Sequence, residues 1–471
     1  MSPGTILDSK PKTQLNYFST KLPQAQTHAR LNIALATAHQ RYTTANPTSS
    51  RLHVEATSHL PGGNTRSVLH ASPFPLYITS GTGNTLLDAD GHHYLDLVGD
   101  MTAGLFGHSQ LKIQMTLVKT ISSVGLNLGA TTSTESQFAA VIKERVKCIE
   151  QLRFCNSGTE ANLYALIIAK IHTRRRKVLV FKGAYHGGVL GFAAGVAVNN
   201  VDRDEWLIGK YNDVAGLREL ITQHKGELAA VLVEGMMGAG GGIPGSAEFL
   251  HAIQDECRFN SIIFILDEVM TFRLAPSGLQ STILHPITHQ PLSPDLTTLG
   301  KNIAGGIGIG AFGGRADLMA VYDPRTSPVP HSGTFNNNSL AMACGLVALP
   351  QIYTPSACLE LNALGDELRA RLNEVGAGTK MKVTGLGAVN TVHFVPNPAA
   401  EIRSVEDLEV DYGGFEEALR GLFYFWAIEK GYWVATRGLI SLILGTTREE
   451  VEGFVEVVRE FVEEYRDALR V

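Results

Sequence analysis

The chain has 471 residues, room for two or three domains at about 150 residues each, and its 44% hydrophobic and 18% charged residues exclude general disorder. Lys and Arg total 40 against 45 Asp and Glu, a net charge of −5 that supplies no basic footprint for nucleic acid. Five scattered cysteines with no CxxC pair exclude a disulfide framework and a zinc ribbon.

Residues 1–24 are polar and carry Pro, Thr and Gln, and are read as a loose extension. They lack the basic start and apolar core of a signal peptide, and no apolar run reaches the about 18–20 residues of a membrane helix. The expectation is a cytoplasmic protein with no membrane partner. Leu31, Ile33, Leu35 and Ala38 predict an amphipathic helix from Ala25 to Thr44, ended by Asn46-Pro47. Pro61-Gly62-Gly63-Asn64 is a turn, and the stretch from Leu76 to Val98 reads as short strands joined at Gly83-Asn84 and Asp90-Gly91.

From about residue 110 to 330, helical patterns alternate with short apolar runs: Leu152–Cys155, Lys177–Phe181, Ala230–Val233 and Ile262–Leu266. Such runs predict a mostly parallel sheet covered on both faces, with ligands at the carboxyl ends of its strands. Past Leu340 come a long helix ending at Val375, strands around Met381–Phe394 and Tyr432–Val434, and an amphipathic C-terminal helix. The expected organisation is α/β: the N-terminal part of a small domain at 25–105, a large domain at 106–340 and the rest of the small domain at 341–471.

The residues that follow each run are the candidates for chemistry. Asn156-Ser157-Gly158-Thr159 opens a helix with free N–H groups and hydroxyls, a phosphate cradle; ordinary helix capping explains it equally well. Tyr185-His186 sits between glycines and offers a ring to a planar ligand. Glu234 leads into a loop rich in glycine, and Asp267 leaves an apolar strand, where a carboxylate is costly without a cation, a metal or a protonated ring nitrogen beside it. Lys301 ends another strand among small and apolar residues, which lowers an amine pKa and leaves it free to form a Schiff base. No set of metal ligands emerges. A phosphate cradle, a stacking ring, an acid and a lysine together match what pyridoxal phosphate (PLP) requires.

Asp267-Glu268-Val269, with Lys301 placed 34 residues after Asp267, resembles the class III aminotransferases of fold type I, as do Ser157–Ala161, Tyr185-His186-Gly187 and Ser332-Gly333-Thr334-Phe335. Within that family the chain is most similar to aromatic β-amino acid transaminases and glutamate-1-semialdehyde aminomutases. The resemblance implies a fold type I transferase in which Lys301 holds PLP and moves the proton. It implies that Asp267 pairs with the ring nitrogen, that Ser157, Gly158 and Thr159 bind phosphate, that Tyr185 stacks on the ring, and that Glu234 is a further cofactor-binding residue. Thr334 would reach the phosphate of a neighbouring subunit, which implies a homodimer with shared sites. Arg66 matches the arginine for a β-carboxylate and Arg437 the one for an α-carboxylate, so the implied substrates are a β-amino acid and a 2-oxo acid such as 2-oxoglutarate or pyruvate. The alternatives are intramolecular amino transfer by an aminomutase, and a silent scaffold on the same fold. Retention of Lys301, Asp267 and the cradle argues against the scaffold. One departure stands out: Gly235-Met236-Met237 follows Glu234 where the family carries Pro and a nearby Gln.

Overall fold

The computed structural model describes residues 14–409 and 414–471. Its first helix, α1 (Gln14–Ala45), begins ahead of the expected Ala25 and passes through Pro23. The loose extension expected over residues 1–24 is thus corrected for 14–24, and residues 1–13 lie outside the described residues. An interior proline costs about 3 kcal/mol, but it removes a single backbone bond and the 32-residue helix keeps the others. Asn46 separates α1 from α2 (Pro47–Thr57), which starts on its proline as such helices often do.

The predicted meander is β1 (Ile78–Thr82), β2 (Thr85–Asp88) and β3 (His93–Asp96). Helices α3 (Leu111–Ser123) and α4 (Ser133–Arg145) lead into the central layer. It comprises β4 (Gln151–Cys155), α5 (Gly158–Thr173), β5 (Lys177–Phe181), β6 (Trp206–Gly209), α6 (Val214–His224) and β7 (Leu228–Glu234). The short pair β8 (Met236–Met237) and β9 (Ile243–Pro244) follows, then α7 (Ala247–Asn260), β10 (Ile263–Asp267), β11 (Leu296–Gly300) and β12 (Gly310–Gly314). The sheet order is β4-β12-β11-β10-β7-β5-β6, parallel from β11 to β6, with β12 antiparallel to both neighbours.

Every expected run is a strand of this sheet. In β10 and β7 successive side chains serve opposite faces: Phe264 and Leu266 join Val231 and Val233 in one core cluster, Ile263 and Ile265 join Ala230 and Leu232 in another. The sequence reading missed β6 and β12. β12 carries three glycines and no apolar run, yet the strand requires the glycines: a Cβ on Gly310 would overlap the Ser157 carbonyl, and one on Gly313 would lie 2.6 Å from the Gln151 oxygen.

The rest of the chain supplies α8 (Ala316–Met319), α9 (Ser339–Val347), α10 (Pro355–Val375), β13 (Met381–Leu386), β14 (Val389–Phe394), α11 (Phe415–Glu429), β15 (Tyr432–Trp433), β16 (Leu439–Ser441), α12 (Arg448–Glu464) and α13 (Arg466–Leu469). β15 adds in parallel to β3, so a C-terminal strand completes the N-terminal sheet. One apolar cluster joins Leu31, Tyr42, Phe74 and Phe106 to Leu372, Phe423, Val455 and Phe461, which ties the two ends of the chain into one core. Among the described residues no single helix is long and apolar enough to cross a membrane.

Candidate active site

Parallel register builds the floor of the site. Glu234, the last residue of β7, pairs with Asp267, the last of β10, and Asp267 pairs with Thr298 on β11; Lys301 follows β11 directly. Asp267 is buried, and its cost is met by hydrogen bonds. Its Oδ1 accepts the Val269 N–H at 2.9 Å. Its Oδ2 accepts Asn162 Nδ2 and His186 Nδ1, each at 2.8 Å. Asn162 Oδ1 in turn accepts the Thr298 hydroxyl at 2.7 Å. A carboxylate offers about four acceptor positions, so these three bonds leave Asp267 able to take one more.

The Lys301 backbone is left-handed, with φ 52. Its amine donates no hydrogen bond to any described residue. Burial pulls its pKa down from 10.5 to about 8, against Asp267 and Glu234, which favour the charged form. Arg437 and Arg273 push it the same way as burial. Lys182, the other lysine at a strand end, is instead ion-paired with Glu409, which raises its pKa.

The cradle lies against this lysine. Ser157 caps α5, its hydroxyl accepting the Glu160 N–H at 3.2 Å, so the capping explanation holds. Capping uses the oxygen as an acceptor and leaves the hydroxyl hydrogen to donate. The N–H groups of Gly158 and Thr159 lie in the first helical turn, where the backbone has no intrahelical acceptor and the helix dipole is positive. A Cβ on Gly158 would sit 2.6 Å from Val269, and one on Gly300 would sit 3.3 Å from the Gly158 nitrogen.

Glu234 is a tether. Its Oε1 accepts the Tyr185 N–H at 3.1 Å and its Oε2 the Gly238 N–H at 2.9 Å, while burial raises its pKa. The Tyr185 side is 53% exposed and faces a cleft of about 410 Å³ that also holds Gly238, His393, Arg420 and Arg437. The Arg437 guanidinium has no acceptor among the described residues. Met237 packs against Gly183 and Gly240, filling space beneath the loop that carries Tyr185.

Ser157, Gly158, Thr159, Tyr185, Glu234, Asp267, Lys301 and Arg437 therefore converge at the carboxyl edge of the sheet. Arg66 and Thr334 stand apart. Arg66 pairs with Asp100 at 2.5 Å. Thr334 lines a separate groove of about 350 Å³ with Asn127, Leu128, Phe335 and Asn337, and its loop is anchored where Asn336 Oδ1 accepts Asn156 Nδ2 at 2.9 Å. Sequence reasoning gave no role to Asn162, His186, Thr298 or Val269. The available signal was a lone asparagine inside the apolar run of α5 and a histidine next to the tyrosine already chosen.

The family model described as aminotransferase class-III matches residues 68–411. The beta-phenylalanine transaminase of Variovorax paradoxus is 44% identical over 438 residues, 93% of this chain and 97% of that protein. Its crystal structure superposes with a TM-score of 0.89 at 43% identity, covering 93% of this chain and 99% of that one. The chain belongs to the class III aminotransferases. A glutamate-1-semialdehyde 2,1-aminomutase of Clostridium acetobutylicum is 31% identical, with 88% of this chain and 99% of that protein covered. A transaminase solved with PLP bound superposes with a TM-score of 0.79 at 27% identity, covering 89% of this chain and 98% of that one.

This class III aminotransferase is a PLP-dependent enzyme, and its residues fit that cofactor. The Lys301 amine, unpartnered among the described residues, the spare acceptor position on Asp267 and the open N–H groups of the α5 turn lie around one sheet edge. The buried His186 Nε2 is a further polar atom left without a partner.

Proposed function

We propose that this class III aminotransferase moves an amino group from a β-amino acid bearing an aromatic or bulky β-substituent to a 2-oxo acid such as 2-oxoglutarate or pyruvate. The observation that carries the reading is the pair of arginines: Arg437 in the Tyr185 cleft with no acceptor among the described residues, and Arg66 on a separate N-terminal segment. A β-amino acid holds its carboxylate one carbon further from the reacting C–N bond than an α-amino acid does, so two separate grips suit two substrates of different length. The similarity to a β-phenylalanine transaminase over nearly the whole chain supports the same reading.

Ser157, Gly158 and Thr159 would hold the phosphate, Tyr185 would stack on the ring and Asp267 would pair with the ring nitrogen. PLP, when bound, supplies an aldehyde that takes up the amine and a protonated ring that serves as an electron sink. Asp267 keeps that ring nitrogen protonated, and Asn162 and His186 hold the carboxylate in place. Lys301 Nζ would take the proton from the substrate carbon that carries nitrogen and deliver it to the cofactor, and would run that transfer in reverse when the 2-oxo acid is aminated. Arg66 orients the β-carboxylate and Arg437 the carboxylate of the 2-oxo acid.

The same proposal includes a homodimer in which Thr334 serves the neighbour's phosphate. Met115, Val118 and Ile121 on α3 are 63%, 68% and 53% exposed, an apolar face suited to a second copy. The proposed compartment is the cytoplasm, which suits five free thiols, and cell fractionation tests it.

Arg66→Ala and Arg437→Ala test the assignment. A charge-assisted bidentate grip is worth roughly 1.5–3 kcal/mol, or about 10- to 150-fold. Arg66→Ala should weaken the β-amino acid half-reaction by that factor and spare the 2-oxo acid, and Arg437→Ala should do the reverse. Equal losses for both substrates in both variants would remove the two-grip reading.

A further inference from the structure

Arg66 is not a free cation: its Nη1 meets Asp100 Oδ1 at 2.5 Å, and the two side chains are 45% and 55% exposed. Asp100 opens a run of three non-glycine residues in the left-handed region, with φ 45 at Asp100, 53 at Met101 and 78 at Thr102. Such residues are strained and persist only where the surroundings hold them. Here the Thr102 N–H reaches the Val98 carbonyl at 3.2 Å and the Gly104 N–H the Gly99 carbonyl at 2.7 Å. Asp96 Oδ1 accepts the N–H groups of Val98 and Gly99 at 2.8 and 3.0 Å.

A further hold comes from Arg273. This guanidinium is fully buried and forms no ion pair with a described carboxylate; it donates to the Thr102 carbonyl at 3.1 Å, to Ser441 Oγ at 2.9 Å and to the Leu442 carbonyl. Arg273 lies six residues after Asp267, and Ser441 lies four residues after Arg437. One buried cation thus ties the turn presenting Asp100 to the segment of Asp267 and to the strand that follows Arg437. The carboxylate facing Arg66 is built into the frame of the site.

We propose that Asp100 is a specificity-determining residue that competes with substrate carboxylates for Arg66. It occupies the guanidinium while Arg437 grips a 2-oxo acid, and yields it to a β-amino acid whose carboxylate makes two bonds in place of one. Without that competitor Arg66 would accept any carboxylate, including a 2-oxo acid held the wrong way round. The inference rests on the reading of Arg66 as the β-carboxylate grip.

A half-exposed ion pair is worth about 0.2–1 kcal/mol, which corresponds to roughly 1.5- to 5-fold in affinity. The probe is 3-phenylpropionate, a β-phenylalanine without its amine, titrated calorimetrically into the PLP-loaded enzyme. Asp100→Asn removes the charge, and asparagine tolerates a left-handed backbone; Asp100→Gly does the same with no side chain. Both variants should bind the probe about 1.5- to 5-fold tighter and lower KM for β-phenylalanine by a like factor with little change in kcat. Pyruvate should inhibit the β-amino acid half-reaction more strongly in both. Asp100→Glu should behave as the unaltered enzyme, and in an Arg66→Ala background the Asp100 changes should do nothing. Unchanged or weaker probe binding in Asp100→Asn and Asp100→Gly would overturn the inference. So would a joint loss of kcat and affinity for both substrates, the mark of a merely structural turn. Probe binding unaltered by Arg66→Ala alone would overturn the Arg66 reading itself and the inference with it.

Discussion

Burial sets the Lys301 amine near pKa 8 instead of 10.5, and the consequence is a rate. At pH 8 about half of Lys301 is unprotonated, whereas an ordinary lysine near 10.4 has roughly one amine in 250 free. Only the free amine attacks an aldehyde, so Lys301 should capture PLP some two orders of magnitude faster than a surface lysine. Apoenzyme mixed with PLP in a stopped-flow instrument reports this through the near-visible band of lysine-bound cofactor. The rate should rise about tenfold per pH unit below 8 and level off above it. Glu234 favours the charged amine, so Glu234→Gln should move the midpoint below 8. Lys301→Ala should lose the band and turnover while staying folded. A rate still climbing at pH 10, or a band kept in Lys301→Ala and lost in Lys182→Ala, would refute the reasoning.

Further outcomes follow from the same geometry. Asp267→Asn removes a buried charge that three donors hold in place, and should cut the half-reaction by at least 100-fold, on the order of 3 kcal/mol of lost charge stabilisation, while PLP still binds; an unimpaired half-reaction would contradict the assignment. Gly187 has φ 136 and a Cβ there would overlap the Thr159 hydroxyl, so Gly187→Ala should lower PLP affinity, measured by equilibrium dialysis of the cofactor. Mixing an inactive Lys301→Ala chain with an inactive Thr334→Arg chain should restore one site in hybrid dimers, because a C₂ interface makes the contact reciprocal; a fully active monomer by light scattering would contradict the shared site.

The strands were legible because sheet strands covered on both faces show as unbroken apolar runs, and the chemistry was legible because it sits where those runs stop. Lys301 and Asp267 were found in this way. β12 was hidden by its glycines, whose purpose is the close approach of Ser157 and Gln151, a tertiary fact. Asn162 and His186 lie 105 and 81 residues from Asp267, and only the fold brings them to its Oδ2. The same holds for Asp100, 34 residues from Arg66. The helical start at Gln14 was missed because residues 1–24 are polar and carry Pro, Thr and Gln, a composition with no apolar periodicity to mark a helix.

The most direct test is a half-reaction panel on the PLP-loaded enzyme, in which α-, β- and ω-amino compounds are added singly and the near-visible band is followed. An aryl β-amino acid such as β-phenylalanine should bleach the band fastest, and 2-oxoglutarate or pyruvate should then restore it. A band indifferent to every β-amino acid, with glutamate-1-semialdehyde isomerised in the absence of any 2-oxo acid, would contradict the account and assign the site to intramolecular amino transfer.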